Sequence, residues 1–198
     1  GPAVTDGDSF ENVCRKLYQT DVKAMSETLE LMDTDSTAKA VDLLSGARRV
    51  FCFGQGGSNV MAMEAWARFS TVSSNFIHIE DSHMQAMAAA LATSKDVILF
   101  FSYSGSTRDM EEVLKLAEEN KVRIILITHF KKSRAAEFAD VVLLCGYNES
   151  PLQSGSIAAK VGQMFLIDCL FYGLCRKNPE LYASARAATA QSIANKLL

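Results

Sequence analysis

Five short apolar runs, at 50–53, 76–79, 97–101, 124–127 and 141–144, recur along the chain with longer helical patterns between them. This alternation restricts the possible folds more than any other feature. Each run is rich in Val, Ile and Phe and almost unbroken in apolar character, which suits strands buried on both faces. Segments 59–71, 83–93 and 107–120 read as helices, and in the last of them Met110, Val113, Leu114 and Ala117 make one stripe. Such alternation builds βαβ units, with helices on both faces of a parallel sheet. The sequence therefore predicts an α/β fold, a three-layer α/β/α sandwich around a five-stranded parallel sheet, flanked by N- and C-terminal helices.

The flanks read as helices. Val22, Met25, Leu29 and Met32 recur at spacings of three and four, which places them on one helix face. The cluster Asp33-Thr34-Asp35-Ser36 breaks that helix and caps a second one, which Gly46 is expected to end. Residues 156–177 form a strongly apolar helix, broken by Asn178-Pro179 before a last amphipathic helix. Its apolar stretch 161–175 is shorter than the roughly 20 residues a bilayer needs and carries Gln163 and Asp168, so a buried helix is expected and no membrane contact. Gly1-Pro2 resembles a protease scar and the chain does not begin with Met, so an excised fragment of a longer protein is expected. The expected divisions are 1–7 as a disordered lead, 8–46 as a helical extension and 47–198 as the ligand-binding domain.

Charge narrows the partners. Twenty basic and 23 acidic residues give a net charge of −3 and a pI near 5.7, which argues against nucleic acid as the main partner of these residues. Five cysteines with no CxxC pair read as reduced residues of a cytoplasmic protein. The histidines and cysteines lack metal-ligand spacing, and there is no GxxxxGK[ST] or GxSxG, so no metal or cofactor is expected.

In open parallel sheets ligands bind beyond the carboxyl ends of the strands. The first strand is followed by Gly54-Gln55-Gly56-Gly57-Ser58, a glycine-rich turn that can offer backbone N–H groups to an anion at a helix N-terminus. The same turn would serve as a plain strand-to-helix connection. It lacks the third glycine of a dinucleotide fingerprint, since position 59 is Asn, although Glu80 and Asp81 stand where a ribose-binding acid could be. The third strand is followed by Ser102-Tyr103-Ser104-Gly105-Ser106-Thr107. Four hydroxyls around one glycine exceed what one N-cap needs and suit a phosphate. Glu149 and His83, after the last and second strands, are candidate sugar contacts or acid–base groups, while His78 and His129 read as structural and rim residues.

The G-x-G-x-S loop (Gly54, Gly56, Ser58) and the S-x-S-G-x-T loop (Ser102, Ser104, Gly105, Thr107) resemble those of the SIS, or sugar isomerase, domain over roughly residues 47–177. The resemblance implies a flavodoxin-like sandwich that holds the phosphate of a phosphosugar on the second loop, with the sugar reaching toward the first. The helical lead-in, Thr107-Arg108-Asp109 and Ile167-Asp168 resemble RpiR-type transcriptional regulators. That implies a sugar-phosphate effector domain, a homodimer or tetramer, and DNA contact only through a helix-turn-helix domain that this sequence lacks. An aldose–ketose isomerase of the same fold is the alternative. Against it, residues 83–88 lack the His-Gly-Asp stretch of arabinose-5-phosphate isomerases, and Ser106 stands where hexuloisomerases carry Glu. A dinucleotide-dependent oxidoreductase is a more distant third.

Overall fold

Residues 50 to 144 form five parallel strands in a computed structural model that describes residues 3–147, 157–194 and 196. The strands are β1 (Val50–Gly54), β2 (Phe76–His78), β3 (Val97–Phe101), β4 (Arg123–Thr128) and β5 (Val141–Leu144). Their order is β2-β1-β3-β4-β5, the flavodoxin-like arrangement. β1 and β3 pair from Val50 opposite Val97 to Gly54 opposite Phe101, so the loops that follow them leave the sheet side by side.

Strand side chains alternate strictly between two buried layers. Cys52, Leu99, Phe101, Ile125 and Ile127 pack under α2 (Thr34–Gly46), α3 (Gly57–Phe69) and α6 (Ile157–Lys177). Phe51, Phe53, Ile98, Phe100, Ile124 and Leu126 pack under α4 (Ser82–Leu91) and α5 (Arg108–Glu119). This is the expected sandwich. β3 and β5 span the residues read from sequence, and the other strands differ by one residue at their ends.

α1 (Phe10–Leu31) and α2 are separated by the Asp33 cap, whose carboxylate accepts from Ser36 N–H at 3.2 Å. Gly46 is the last residue of α2 and has no positive φ, so it ends the helix without the left-handed cap its identity suggested. α6 is long and apolar enough to cross a membrane by length and composition alone. However, Gln163, Leu166, Leu170, Phe171 and Leu174 are buried in this core, the position expected for it. Asn178 Oδ1 accepts from Leu181 N–H at 3.2 Å and starts α7 (Pro179–Ala194), which buries none of its residues.

The face that α1 buries differs from the stripe that periodicity selects. Val22, Met25 and Leu29 are exposed, Met32 is partly buried, and the buried residues of α1 are Ala24 and Thr28. The reason is close approach. A Cβ on Gly146 would stand 2.6 Å from Glu27 Cβ, and one on Gly162 would stand 2.4 Å from Thr28 Oγ1. Only small side chains fit a contact of that depth, so the large apolar ones turn outward.

Candidate functional site

β1 sends the chain toward β2 on one side and β3 starts the return on the other, which opens a crevice at their carboxyl ends. The first loop lines it. Gly54 lies so close to the next turn that a Cβ would stand 2.7 Å from the Ser58 carbonyl oxygen. Gly56 has φ 59° at the N-cap of α3, and no side chain caps that helix.

The second loop is built from inside outward. Ser102 is buried, and its Oγ accepts the Gly105 N–H at 2.9 Å. Gly105 has φ 66° and is pressed against Ser133. Ser104, Ser106 and Thr107 stay exposed, with Ser106 N–H donating to Ser104 Oγ at 3.3 Å. Thr107 occupies the N-cap of α5 yet makes no capping bond. Its hydroxyl donates instead to Gln55 Oε1 at 3.1 Å and ties the two loops together. An ordinary N-cap would have spent that hydroxyl on its own helix. Two neighbouring helix N-termini are thus left without a side-chain cap, each with the positive end of its dipole toward the crevice.

Gln55, Gly56, Glu80, Asp81, Ser82 and Asp109 line an open cleft of about 480 Å³ at this point. The Nε2 of Gln55 is buried and has no hydrogen-bond partner among the described residues. The cleft sets the Gln55 amide and the Gly56 turn beside the carboxylates of Glu80, Asp81 and Asp109, donors and acceptors that fit a ligand with several hydroxyls. Asp81 is partly committed, since its carboxylate accepts from Met84 N–H at 2.9 Å and caps α4. Beneath the cleft, Gln85 is fully buried and its Nε2 donates to the carbonyls of Gly54 and Ile79, which fixes the ends of β1 and β2 relative to each other.

β1 and β3 end side by side, so Gly54, Gln55, Gly56, Gly57 and Ser58 stand in one loop beside Ser102, Tyr103, Ser104, Gly105, Ser106 and Thr107 in the other, joined by the Thr107–Gln55 bond; of these, Gln55 and Gly56 line the cleft, and the roles differ. Tyr103 stacks on His129 at 5.2 Å between ring centroids and donates its hydroxyl to the Tyr147 carbonyl, so it works as scaffold. His83 is exposed in the first turn of α4 and is not among the residues lining the cleft. Glu149 lies outside the described residues. His78 is structural, as read: its Nε2 is 2.9 Å from Asn59 Oδ1, and burial lowers its pKa while Glu80 pulls the other way. Asp109 and Ser82 escaped attention as cleft residues, although each stands in the first turn of a helix that follows a strand.

Comparison with known proteins agrees with this geometry. An uncharacterised HTH-type transcriptional regulator of Haemophilus influenzae is 30% identical over 190 residues, covering 96% of this chain and 66% of that protein. The HTH-type transcriptional regulator RpiR of Escherichia coli is 28% identical over 170 residues, covering 86% of this chain and 57% of that protein. The chain therefore spans less than two thirds of either relative. Among solved structures, the Vibrio vulnificus NanR protein complexed with ManNAc-6P superposes with a TM-score of 0.90 at 26% identity, over 95% of this chain and 72% of that one. The phosphoheptose isomerase GmhA of Neisseria gonorrhoeae shares the fold, with a TM-score of 0.69 at 18% identity over 83% of this chain and 97% of that one. The family model described as SIS domain matches residues 43–172, and with the sheet order and both loops in place, the chain belongs to the SIS domain family.

Proposed function

We propose that this chain is the effector-binding part of an RpiR-type transcriptional regulator and that its effector is a phosphorylated sugar held between the loops after β1 and β3. The observation that carries this reading is the pair of uncapped helix N-termini facing one crevice, with the Thr107 hydroxyl turned to Gln55. Similarity to NanR, solved with ManNAc-6P, and to transcriptional regulators supports it. The phosphate takes the hydroxyls of Ser104 and Ser106, the Thr107 hydroxyl as it turns from Gln55, and the free N–H groups at the start of α5. The sugar hydroxyls donate to Glu80, Asp109 and Gln55. DNA contact belongs to a helix-turn-helix domain outside this chain, and the whole protein works in the cytoplasm. Sensing without turnover follows from the kinship with regulators and from Ser106 in place of the isomerase Glu.

The test is a thermal-shift panel of sugar phosphates, among them N-acetylmannosamine 6-phosphate, with the matching free sugars. A ligand at about 100 times its Kd stabilises by roughly 2.7 kcal/mol, which for a chain of this size raises Tm by about 5–10 °C. Phosphosugars are expected to give such a shift and free sugars none. A phosphosugar acid is expected to bind more weakly than its neutral counterpart, because its carboxylate meets Glu80 and Asp109. Ser104→Ala with Thr107→Ala removes two hydroxyls worth about 1.5–3 kcal/mol each as anion contacts, so affinity falls by about a hundredfold or more. Equal shifts with free and phosphorylated sugars, or unchanged affinity in the double variant by calorimetry, would overturn the assignment. Proton exchange at the carbon beside the sugar carbonyl, read by NMR, would move the reading to the isomerase.

Assembly belongs to the same proposal. Val22, Met25 and Leu29 on α1 are 38%, 42% and 59% exposed, and Met25 borders a groove of about 360 Å³ with Met164 and Phe165 of α6. A second copy would cover this face and give the two-fold symmetry a palindromic DNA site requires. Leu181 and Ile193 are a further exposed apolar pair on α7, and Leu197 lies outside the described residues. Light scattering is expected to give a dimer or tetramer that Met25→Glu with Leu29→Glu converts to monomer. A monomeric parent chain at all concentrations would refute this.

A further inference from the structure

The ligand loop and α1 meet at the three residues that follow β5, although neither element neighbours them in sequence. Cys145, Gly146 and Tyr147 hang their backbone polar groups on four different side chains. The Cys145 carbonyl is 2.8 Å from His129 Nδ1. Gly146 N–H donates to Thr28 Oγ1 at 2.8 Å, and Tyr147 N–H donates to Glu27 Oε2 at 3.1 Å, both from α1. The Tyr147 carbonyl accepts the hydroxyl of Tyr103, which stands inside the ligand loop beside Ser104. Tyr147 itself has φ 80°, a region that a bulky L-residue enters only when its surroundings force it. The forcing groups are visible: α1 holds the N–H side of this peptide and the ligand loop holds its carbonyl side.

We propose that Tyr147 is a conformational relay, through which the state of the Ser102–Thr107 loop sets how firmly the C-terminal half of α1 is seated. Coupling needs an element with two arrangements that both sites bias. Tyr147 supplies it. With both bonds made it is held left-handed. When either is lost its φ returns toward the ordinary negative range, and the second bond goes with it. The deep seating of α1 against Gly146 and Gly162 makes this response abrupt, because a contact without slack is either made or lost. The inference deepens the proposed function, since it rests on the reading of that loop as the effector site, but its test does not require the effector.

Hydrogen exchange on the ligand-free chain reads the coupling in both directions. Tyr103→Phe keeps the ring stacked on His129 and removes only the hydroxyl. It is expected to speed exchange of α1 amides from Ala24 to Leu31 about tenfold while leaving α4 and the middle of α5 unchanged. Glu27→Ala keeps the Cβ that faces Gly146 and removes the carboxylate on the other side, together with its exposed ion pair to Lys23. It is expected to speed exchange at Gly105–Thr107 while leaving those same reference helices unchanged. Unaltered exchange at α1 in Tyr103→Phe, or a uniform rise over all elements in either variant, would overturn the relay. Those results concern the ligand-free chain alone, so they leave the effector reading standing. An empty thermal-shift panel would refute the effector reading and leave the coupling measured.

Discussion

A chain carrying Arg48→Met together with Arg49→Met is expected to lose about 3 kcal/mol of stability at pH 7, and to lose progressively less as the pH falls. Asp96 is fully buried at the start of β3. Arg48 binds its two oxygens at 3.2 and 2.9 Å, Arg49 does so at 3.4 and 3.3 Å, and the Thr93 N–H donates at 2.9 Å. Burial pushes this carboxyl upward, but the bonds from Arg48, Thr93 and Arg49 outweigh it and hold the pKa well below the usual carboxylate range. Breaking a buried pair by removing its cations costs about 3–5 kcal/mol. The arginines are 49% and 41% exposed, so solvent screening sets the figure at the lower end.

The pH dependence has a definite sign. In the parent chain the folded pKa is depressed, so the contribution is complete above the unfolded value of about 3.9 and fades only as pH drops through the folded one. In the double variant burial, the largest influence on this carboxyl, is opposed by the Thr93 N–H without the two cations, and the folded pKa rises above that of the unfolded chain. Its penalty is then full at neutral pH and shrinks as the carboxyl takes a proton. Urea melts at pH 7 and pH 4 should show the gap between the two chains narrowing on acidification. A gap that does not change with pH would mean that the cations do not govern Asp96.

What the sequence discloses follows from how local the determining physics is. The strands were legible because a parallel sheet buries both faces, so 97–101 had to be apolar without interruption, and even at the sheet edge 141–144 stays apolar with Val142 and Leu144 half-buried. The loops after β1 and β3 were legible because turn chemistry is written in adjacent residues. Gly54 and Gly105 are required by contacts of a few ångströms. The buried face of α1 was not legible. Periodicity finds large apolar side chains, whereas α1 docks through Ala24 and Thr28 against two glycines over a hundred residues away. The roles within the second loop were likewise hidden. Ser102, Tyr103, Ser104 and Thr107 are all hydroxyl residues in one short stretch. Only their partners Gly105, Tyr147, Ser106 and Gln55 separate loop-shaping hydroxyls from those facing the crevice. The carboxylates of the cleft, Glu80 after β2 and Asp109 in the first turn of α5 after β3, follow different strands and are assembled only by the sheet order.

Gly105→Ala is expected to remove ligand binding and to lower the melting temperature by about 6 °C or more, because two independent penalties fall on one methyl group. The first is conformational. Gly105 has φ 66°, and a left-handed backbone costs a residue with a Cβ roughly 1–2 kcal/mol. The second is steric, since the new Cβ would stand 2.2 Å from Ser133 Oγ and 2.4 Å from Ser133 Cβ. Ser133 has little room to retreat. It is buried, its N–H donates to Phe130 O at 3.2 Å, its carbonyl accepts from Ala136 N–H at 3.1 Å, and Ala135 N–H is bonded to the Gly105 carbonyl at 3.0 Å. Forcing a methyl into such a site costs about 1–3 kcal/mol more. The two penalties separate in a second variant. Gly105→Ala with Ser133→Gly removes the clash, and the lost hydroxyl has no hydrogen-bond partner among the described residues to leave stranded. That double variant should recover the steric part of the stability while the conformational part persists. Ligand binding should stay impaired, because the strained turn still misplaces Ser104, Ser106 and Thr107. Calorimetric melts and binding titrations of the three chains decide it. Parent-like melting and affinity in Gly105→Ala would show that the turn is not what shapes the proposed phosphate site.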